Sequence, residues 1–167
     1  MKFISLLIMA VSLLALLATC VWLAKRNSLT FLANVAEGTH QNALTRLADA
    51  ALATRFLLVK IGSDANHVAA CGVGDIPLGI ATDEPAAAED PVNVELLGVG
   101  ERTLLGVASA AIAAGDLVVA AASGKLRTLP TAAGTYYIMG RALGAAGADG
   151  DTIEFVPSFP VQRVVAA

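Results

Sequence analysis

Apolar and polar positions divide the chain into three stretches. From Ile4 to Ala24 no residue is charged, and the only polar side chains are Ser5, Ser12 and Thr19. Residues 27–55 show no single period. Asn42 is placed to cap a short helix over residues 43–49, and the Ala-rich content permits one. Thr45-Arg46-Leu47-Ala48-Asp49-Ala50 also alternates well enough for an extended arm, and the pattern leaves both open.

From residue 56 onward short β-rich runs alternate with turn residues. Strands are predicted over residues 56–61, 67–71, 78–82, 92–96, 104–108, 117–120, 125–129, 136–143 and 152–156. Between them lie Gly62-Ser63-Asp64-Ala65-Asn66, Gly72-Val73-Gly74-Asp75, a loop with Pro85 and Pro91, Ala114-Gly115-Asp116, Ser123-Gly124 and Gly147-Ala148-Asp149-Gly150-Asp151. Gly98-Val99-Gly100 is expected to be a hairpin turn. Val92, Val94 and Leu96 alternate cleanly and are expected on one buried face. About nine short strands spaced by roughly 8–12 residues indicate an all-β sandwich or barrel. The expected fold is therefore mainly β: a small sandwich or barrel-like domain preceded by a hydrophobic N-terminal helix. The domain plan is a hydrophobic helix over 1–26, a connector or arm over 27–55 and a β-rich body over 56–167.

The stretch from Ile4 to Ala24 is 21 residues. At about 1.5 Å per residue a helix of that length spans roughly 30 Å, the thickness of a bilayer's hydrocarbon core. Lys2 precedes it, Lys25 and Arg26 close it, and Trp22 stands where an interfacial aromatic belongs. Membrane contact through Ile4 to Ala24 is the first reading. A buried arm inside a protein assembly is the second, because an all-apolar helix can hide in protein as well as in lipid. A cleaved signal peptide is the third. The run is long for one, and no small-x-small site follows it. Leu17-Ala18-Thr19-Cys20 departs from a lipoprotein pattern at Thr19 and is followed by more apolar residues.

Composition adds that the 56% hydrophobic content is mostly Ala, Val and Leu, with 5% aromatic. Such side chains fill thin layers between sheets. Lys2, Lys25 and Arg26 are three of the 11 basic residues, and none of the 14 acidic residues lies before residue 27. The remainder thus holds 8 basic and 14 acidic residues, a net of −6. An acidic body without Lys/Arg runs argues against direct nucleic-acid binding, which needs a basic footprint.

Candidate chemistry is sparse. His40 and His67 have no Cys or carboxylate at metal-ligand spacing and are expected to be surface histidines. Cys20 and Cys71 are expected to be small buried hydrophobes without a disulfide between them. No nucleophile elbow, Cys–His pair, Walker loop or dinucleotide fingerprint occurs. Asp83, Glu84, Glu89 and Asp90 lack the alternation of a calcium loop and are expected to form a solvated loop. Asp149-Gly150-Asp151 is expected to be a turn. No catalytic, cofactor-binding or metal residue is singled out, and the chain is not expected to be an enzyme.

Three phrases in order carry a resemblance. The first is Leu78-Gly79-Ile80-Ala81-Thr82-Asp83, followed by the acidic loop and the strand over residues 92–96. The second is Ala111-Ile112-Ala113-Ala114-Gly115-Asp116-Leu117-Val118, followed by Ala122-Ser123-Gly124-Lys125-Leu126. The third is Gly140-Arg141-Ala142-Leu143, followed by Ala148-Asp149-Gly150-Asp151-Thr152-Ile153-Glu154-Phe155. From about Leu57 to Val164 the chain resembles the small capsid cement, or decoration, proteins of tailed phages. The resemblance implies a virion structural protein that binds the outside of a capsid shell and bridges neighbouring subunits. It also implies a homo-oligomer, often a trimer, partnered by a major capsid protein, with no catalytic residues. The hydrophobic start is not part of the resemblance. It keeps two further readings open: a membrane-anchored or surface-assembled β-domain forming a filament or layer in a bacterial envelope, and an exported binding module.

Overall fold

A computed structural model describes residues 42–166, and over them the short apolar runs become ten strands in two sheets. β1 (Ala43–Ala48), β2 (Leu58–Ile61), β3 (His67–Ala70), β4 (Gly79–Ala81) and β5 (Pro91–Leu96) close into a barrel in the order β1-β3-β2-β4-β5. β6 (Leu104–Val107), β7 (Leu117–Ala120), β8 (Leu126–Thr128), β9 (Gly134–Ala142) and β10 (Thr152–Val165) form a second sheet in the order β6-β10-β9-β7-β8. All strand pairs are antiparallel except β1 with β3. That parallel pair registers over two positions only, Leu47 with His67 and Ala48 with Val68.

Two apolar cores follow from the strand period. Inside the barrel lie Val59, Val68, Val92, Val94 and Ala81, joined by Leu57 and Ala48. Between the barrel wall and the second sheet lie Leu58, Ile80, Leu126, Met139, Ile153 and Phe155. Successive residues of a strand point to opposite faces. Leu58 and Val59 therefore enter different cores, as do Ile80 and Ala81. This is why consecutive residues are buried in β2 and β4 while β5 and the start of β10 alternate. Ser123 and Gly124 turn β7 into β8 with φ +58 and +73, and the turn docks on the barrel. A Cβ on Gly124 would stand 2.7 Å from the Leu58 carbonyl oxygen, so the turn needs glycine for both its conformation and its clearance.

The sequence predicts nine strands; the described residues hold ten. The extra one is β1, in the span assigned to the connector, where helix and extended arm were both open. Intrinsic propensity does not select it. Its pairing does: five register positions with β5, from Ala43 with Glu95 to Leu47 with Pro91, and two with β3. β10 also runs nine residues beyond its expected end at Val156. Leu96 is half-buried instead of joining Val92 and Val94, because the chain turns at Leu97 and sends that side chain into the inter-sheet core. The turn Gly98-Val99-Gly100 is not a hairpin: it carries the chain from β5 in the barrel to β6 in the other sheet.

The hydrophobic helix expected over residues 1–26, with Cys20, and the connector portion holding His40 lie outside the described residues. Among the described residues no helix is long and apolar enough to cross a membrane.

Candidate functional site

Most carboxylates in the described residues serve the turns. Asp90 Oδ2 accepts from the backbone N–H groups of Ala86 and Ala87 at 3.0 and 2.9 Å. Asp151 Oδ2 does the same for Gly147 and Ala148 at 2.8 and 3.0 Å. Asp116 accepts from Ala113 N and Thr128 Oγ1 at 3.0 and 2.8 Å. The Thr128 hydroxyl, then the Ala113 amide, holds the Asp116 carboxyl below the usual range. Asp75 is lowered likewise, first by Lys60 at 2.8 Å and then by the Gly72 amide. Asp83 accepts from Asn93 N at 2.9 Å. In all but the Asp83 bond, which spans ten residues, the carboxylate reaches back to amides three or four residues earlier and closes its own turn. The acidic loop and the Asp149-Gly150-Asp151 turn thus form as the sequence indicated.

His67 differs from its expectation. Its side chain is 14% exposed and lies between two carboxylates, with Nδ1 2.7 Å from Asp64 and Nε2 3.0 Å from Glu89. Asp64, three residues earlier, was visible in the sequence; Glu89 comes close only through the barrel. The two carboxylates sit on opposite ring nitrogens rather than around one point. Among the described residues no group of three His, Cys, Asp or Glu side chains is arranged to hold a metal ion. Cys71 is buried, as expected, and burial, then the nearby Asp75, pushes its thiol up to about 12. A thiol of that kind is not ionised near neutrality and is a poor nucleophile.

What the described surface offers instead is an apolar, partly unpaired strand. β6 covers β10 only over Thr152–Phe155, whereas β9 follows β10 to Val165. From Val156 onward β10 has no strand on its outer side among the described residues. Along this length Phe159, Val161 and Val164 are 65, 57 and 66% exposed. Pro157 and Pro160 cannot donate to a ladder, and the register shifts between Pro157 and Val161, which spreads four steps of β10 over two of β9. The shift opens a shallow depression of about 360 Å³ on the outer face, lined by Leu117, Ile138, Arg141, Val156 and Pro157. Arg141 binds across the sheet to the Gly115 carbonyl. Phe159 rests over Gly98, where φ is +71 and a Cβ would run into the Phe159 backbone and ring. The predicted strand stops at Val156, immediately before Pro157, so the sequence reading did not include this surface. The run Val161-Gln162-Arg163-Val164-Val165 was the available signal for its continuation.

Exposed apolar side chains on a strand without an outer partner mark an interaction surface more often than a reaction site. A solved structure of the head fiber gp8.5 N base in bacteriophage phi29 is similar in fold, with a TM-score of 0.53 and 20% sequence identity over 71% of this chain and 94% of that one. No curated protein matches the sequence. The family model for the phage cement protein matches residues 36–156, a span that holds β1 through the first part of β10. The chain belongs to the phage cement protein family and is a structural protein of the virion capsid.

Proposed function

We propose that the chain reinforces the phage head without catalysis, by binding the outer face of the shell across junctions between neighbouring major capsid protein subunits, and that it does so as a homo-oligomer. The observation that carries this reading is the outer half of β10: exposed Phe159, Val161 and Val164 beside a strand edge that nothing in the described chain covers. Open strand edges and exposed apolar side chains are the usual means of adding one chain to another. A protein that binds only the assembled shell stabilises it by mass action. At a free concentration about a hundredfold above Kd the gain is about 2.7 kcal/mol per site.

The test uses purified heads assembled without the chain. Adding the wild-type chain is expected to give co-sedimentation and a higher shell melting temperature. The double variant Val161→Asp/Val164→Asp is expected to keep its own melting temperature, since both positions are exposed, and to lose shell binding. A wild-type chain that fails to co-sediment with heads would overturn the reading. A double variant that binds like wild type would remove β10 as its basis. Light scattering on the isolated chain checks the oligomer: a strictly monomeric chain at the concentrations that saturate the shell would refute it.

A further inference from the structure

The β1–β3 seam of the barrel is narrow, and a histidine sits on it. β1 pairs with β3 at two positions only, one of which is Leu47 with His67. The end of β1 is gripped from both sides by backbone bonds. Leu47 N donates to Asn66 O and Asp49 N to Val68 O, both at 2.9 Å. Ala48 N donates to Asp90 O at 2.9 Å, and Glu89 N to Ala48 O at 2.8 Å. The first two belong to the β2–β3 side and the last two to the acidic loop before β5. The His67 ring straps the same two sides together, through Asp64 in the turn and Glu89 in the loop. Glu89 is held with φ at +66, a conformation disfavoured for a residue with a side chain.

Both partners of the ring are carboxylates. Ionised carboxylates only accept hydrogen bonds, so both contacts are satisfied only when both ring nitrogens carry a proton. A neutral ring donates to one partner and turns a lone pair toward the other. Most other charged groups around the seam are engaged. Asp49, at the end of β1, accepts from Ser63 N and Oγ at 2.8 and 2.6 Å. Asp90 holds loop amides, Asp83 accepts from Asn93 N on β5, and Lys60 on β2 pairs with Asp75. Arg46, beside Leu47 on β1, keeps its Nη1 buried without a hydrogen-bond partner, and the ion pairs of Asp64 and Glu89 are with His67.

We infer that His67 is a protonation-dependent lock on this seam: its imidazolium ties the β2–β3 turn to the acidic loop across the end of β1, and loss of the ring proton to solvent releases that loop. The direction of titration agrees with the geometry. The Asp64 carboxylate, then that of Glu89, raises the His67 pKa above its ordinary 6.5, and the His67 ring in turn lowers Asp64. A group raised on folding stabilises fully below its unfolded pKa and loses that contribution as pH rises through the folded value. The lock is therefore closed in mildly acidic to neutral solution and opens on the alkaline side of the His67 midpoint.

The test follows the His67 ring resonances and the amide exchange of residues 82–90 in the full chain by NMR between pH 5 and 9, with intrinsic exchange rates corrected for pH. The His67 midpoint is expected above about 6.5. Loop protection is expected to fall across it by about tenfold for each unit of that elevation. Glu89→Gln should bring the midpoint down and flatten the pH dependence. His67→Gln should leave the loop at the low protection of the alkaline wild type at every pH. A midpoint at or below about 6.5, or loop protection that does not change across the midpoint, overturns the inference. Neither outcome depends on shell binding, so failure here is separate from failure of the capsid reading.

Discussion

Val94→Asp is the sharpest test of the barrel register. Val94 is fully buried and stands opposite Leu44 of β1 and Ala81 of β4. Its neighbours inside the barrel are Val59, Val68, Val92 and Ala81, and no polar or charged residue is buried anywhere among the described residues. Replacing the isopropyl group forfeits the burial of a Val side chain, about 1.5–3 kcal/mol. It also takes a carboxyl out of water among apolar side chains, which costs about 1–3 kcal/mol even when the group is neutral, unless it reaches the unpartnered Nη1 of Arg46 on β1. The sum, about 2.5–6 kcal/mol, is comparable with the whole stability of many domains. A pH signature separates this from mere cavity formation. Burial raises the folded pKa of the new carboxyl, so the penalty grows by up to about 1.4 kcal/mol per pH unit above its unfolded pKa near 3.9. Urea denaturation at pH 4.5 and pH 7.5 is the assay, with Val94→Ala and Val164→Asp beside it. Val94→Ala should lose stability equally at both pH values, and Val164→Asp should stay within about 0.5 kcal/mol of wild type. A Val94→Asp chain with an unchanged midpoint, or one whose loss is the same at both pH values, would refute the placement of Val94 in a dry barrel core.

Three other predictions rest on single sites. Cys71 should resist iodoacetamide at pH 8 in the folded chain and react on unfolding, read by peptide mass mapping; rapid native labelling would contradict its burial and raised pKa. Gly124→Val forces a β-branched residue to φ +73 and a Cβ against the Leu58 carbonyl, so it should cost at least about 1–3 kcal/mol in denaturation; a neutral result would mean that the β7–β8 turn does not dock on the barrel. The lowered Asp116 pKa means that its carboxylate stabilises the fold above the unfolded value near 3.9 and loses that contribution as pH falls through the folded one. Stability should therefore drop less between pH 5 and pH 3 in Asp116→Asn than in wild type, and parallel pH slopes would remove the Thr128–Asp116 closure as a source of acid lability.

The open length of β10 lies beyond residue 156, where the family match ends, and its rationale belongs to the proposed function. On that reading, a chain that completed all its own pairing would have little with which to hold a shell. Here the inner part of β10 is committed, with Ile153 and Phe155 in the inter-sheet core and β6 alongside. The outer part keeps one flank free, and the proline-bearing shift between the two parts changes the register at the point where β6 ends. Pro160 and Arg163 on this length limit the indiscriminate edge-to-edge pairing to which an exposed strand is prone. Under the proposed function, binding is restricted to a surface that fits the irregular edge and its exposed apolar side chains.

Nine of the ten strands in the described residues were legible in the sequence because each is a local pattern: a short run of apolar and β-branched residues, alternating in some strands and consecutive in others, set off by turn residues. Val92 and Val94 were placed correctly on that basis, and so were the closures at Asp116, Ser123-Gly124 and Asp149-Gly150-Asp151. The resemblance to cement proteins rests on the same turns in order. The tertiary structure alone decided the rest, and in each case the deciding contact joins residues distant in the chain. β1 is a strand because β5 and β3 offer it partners, not because Ala43–Ala48 prefers to be extended. Leu58 and Val59 are both buried because a barrel wall has a core on each side, which period alone cannot tell from a helix or a two-sided sheet. His67 is a bridging group because closure of the barrel carries Glu89 to a ring 22 residues earlier. β10 continues past two prolines because β9 is there to pair with it. Local free energies choose turns and strand periods from neighbouring residues; which strands meet, and which edge is left open, depends on surfaces that exist only after the chain has closed on itself.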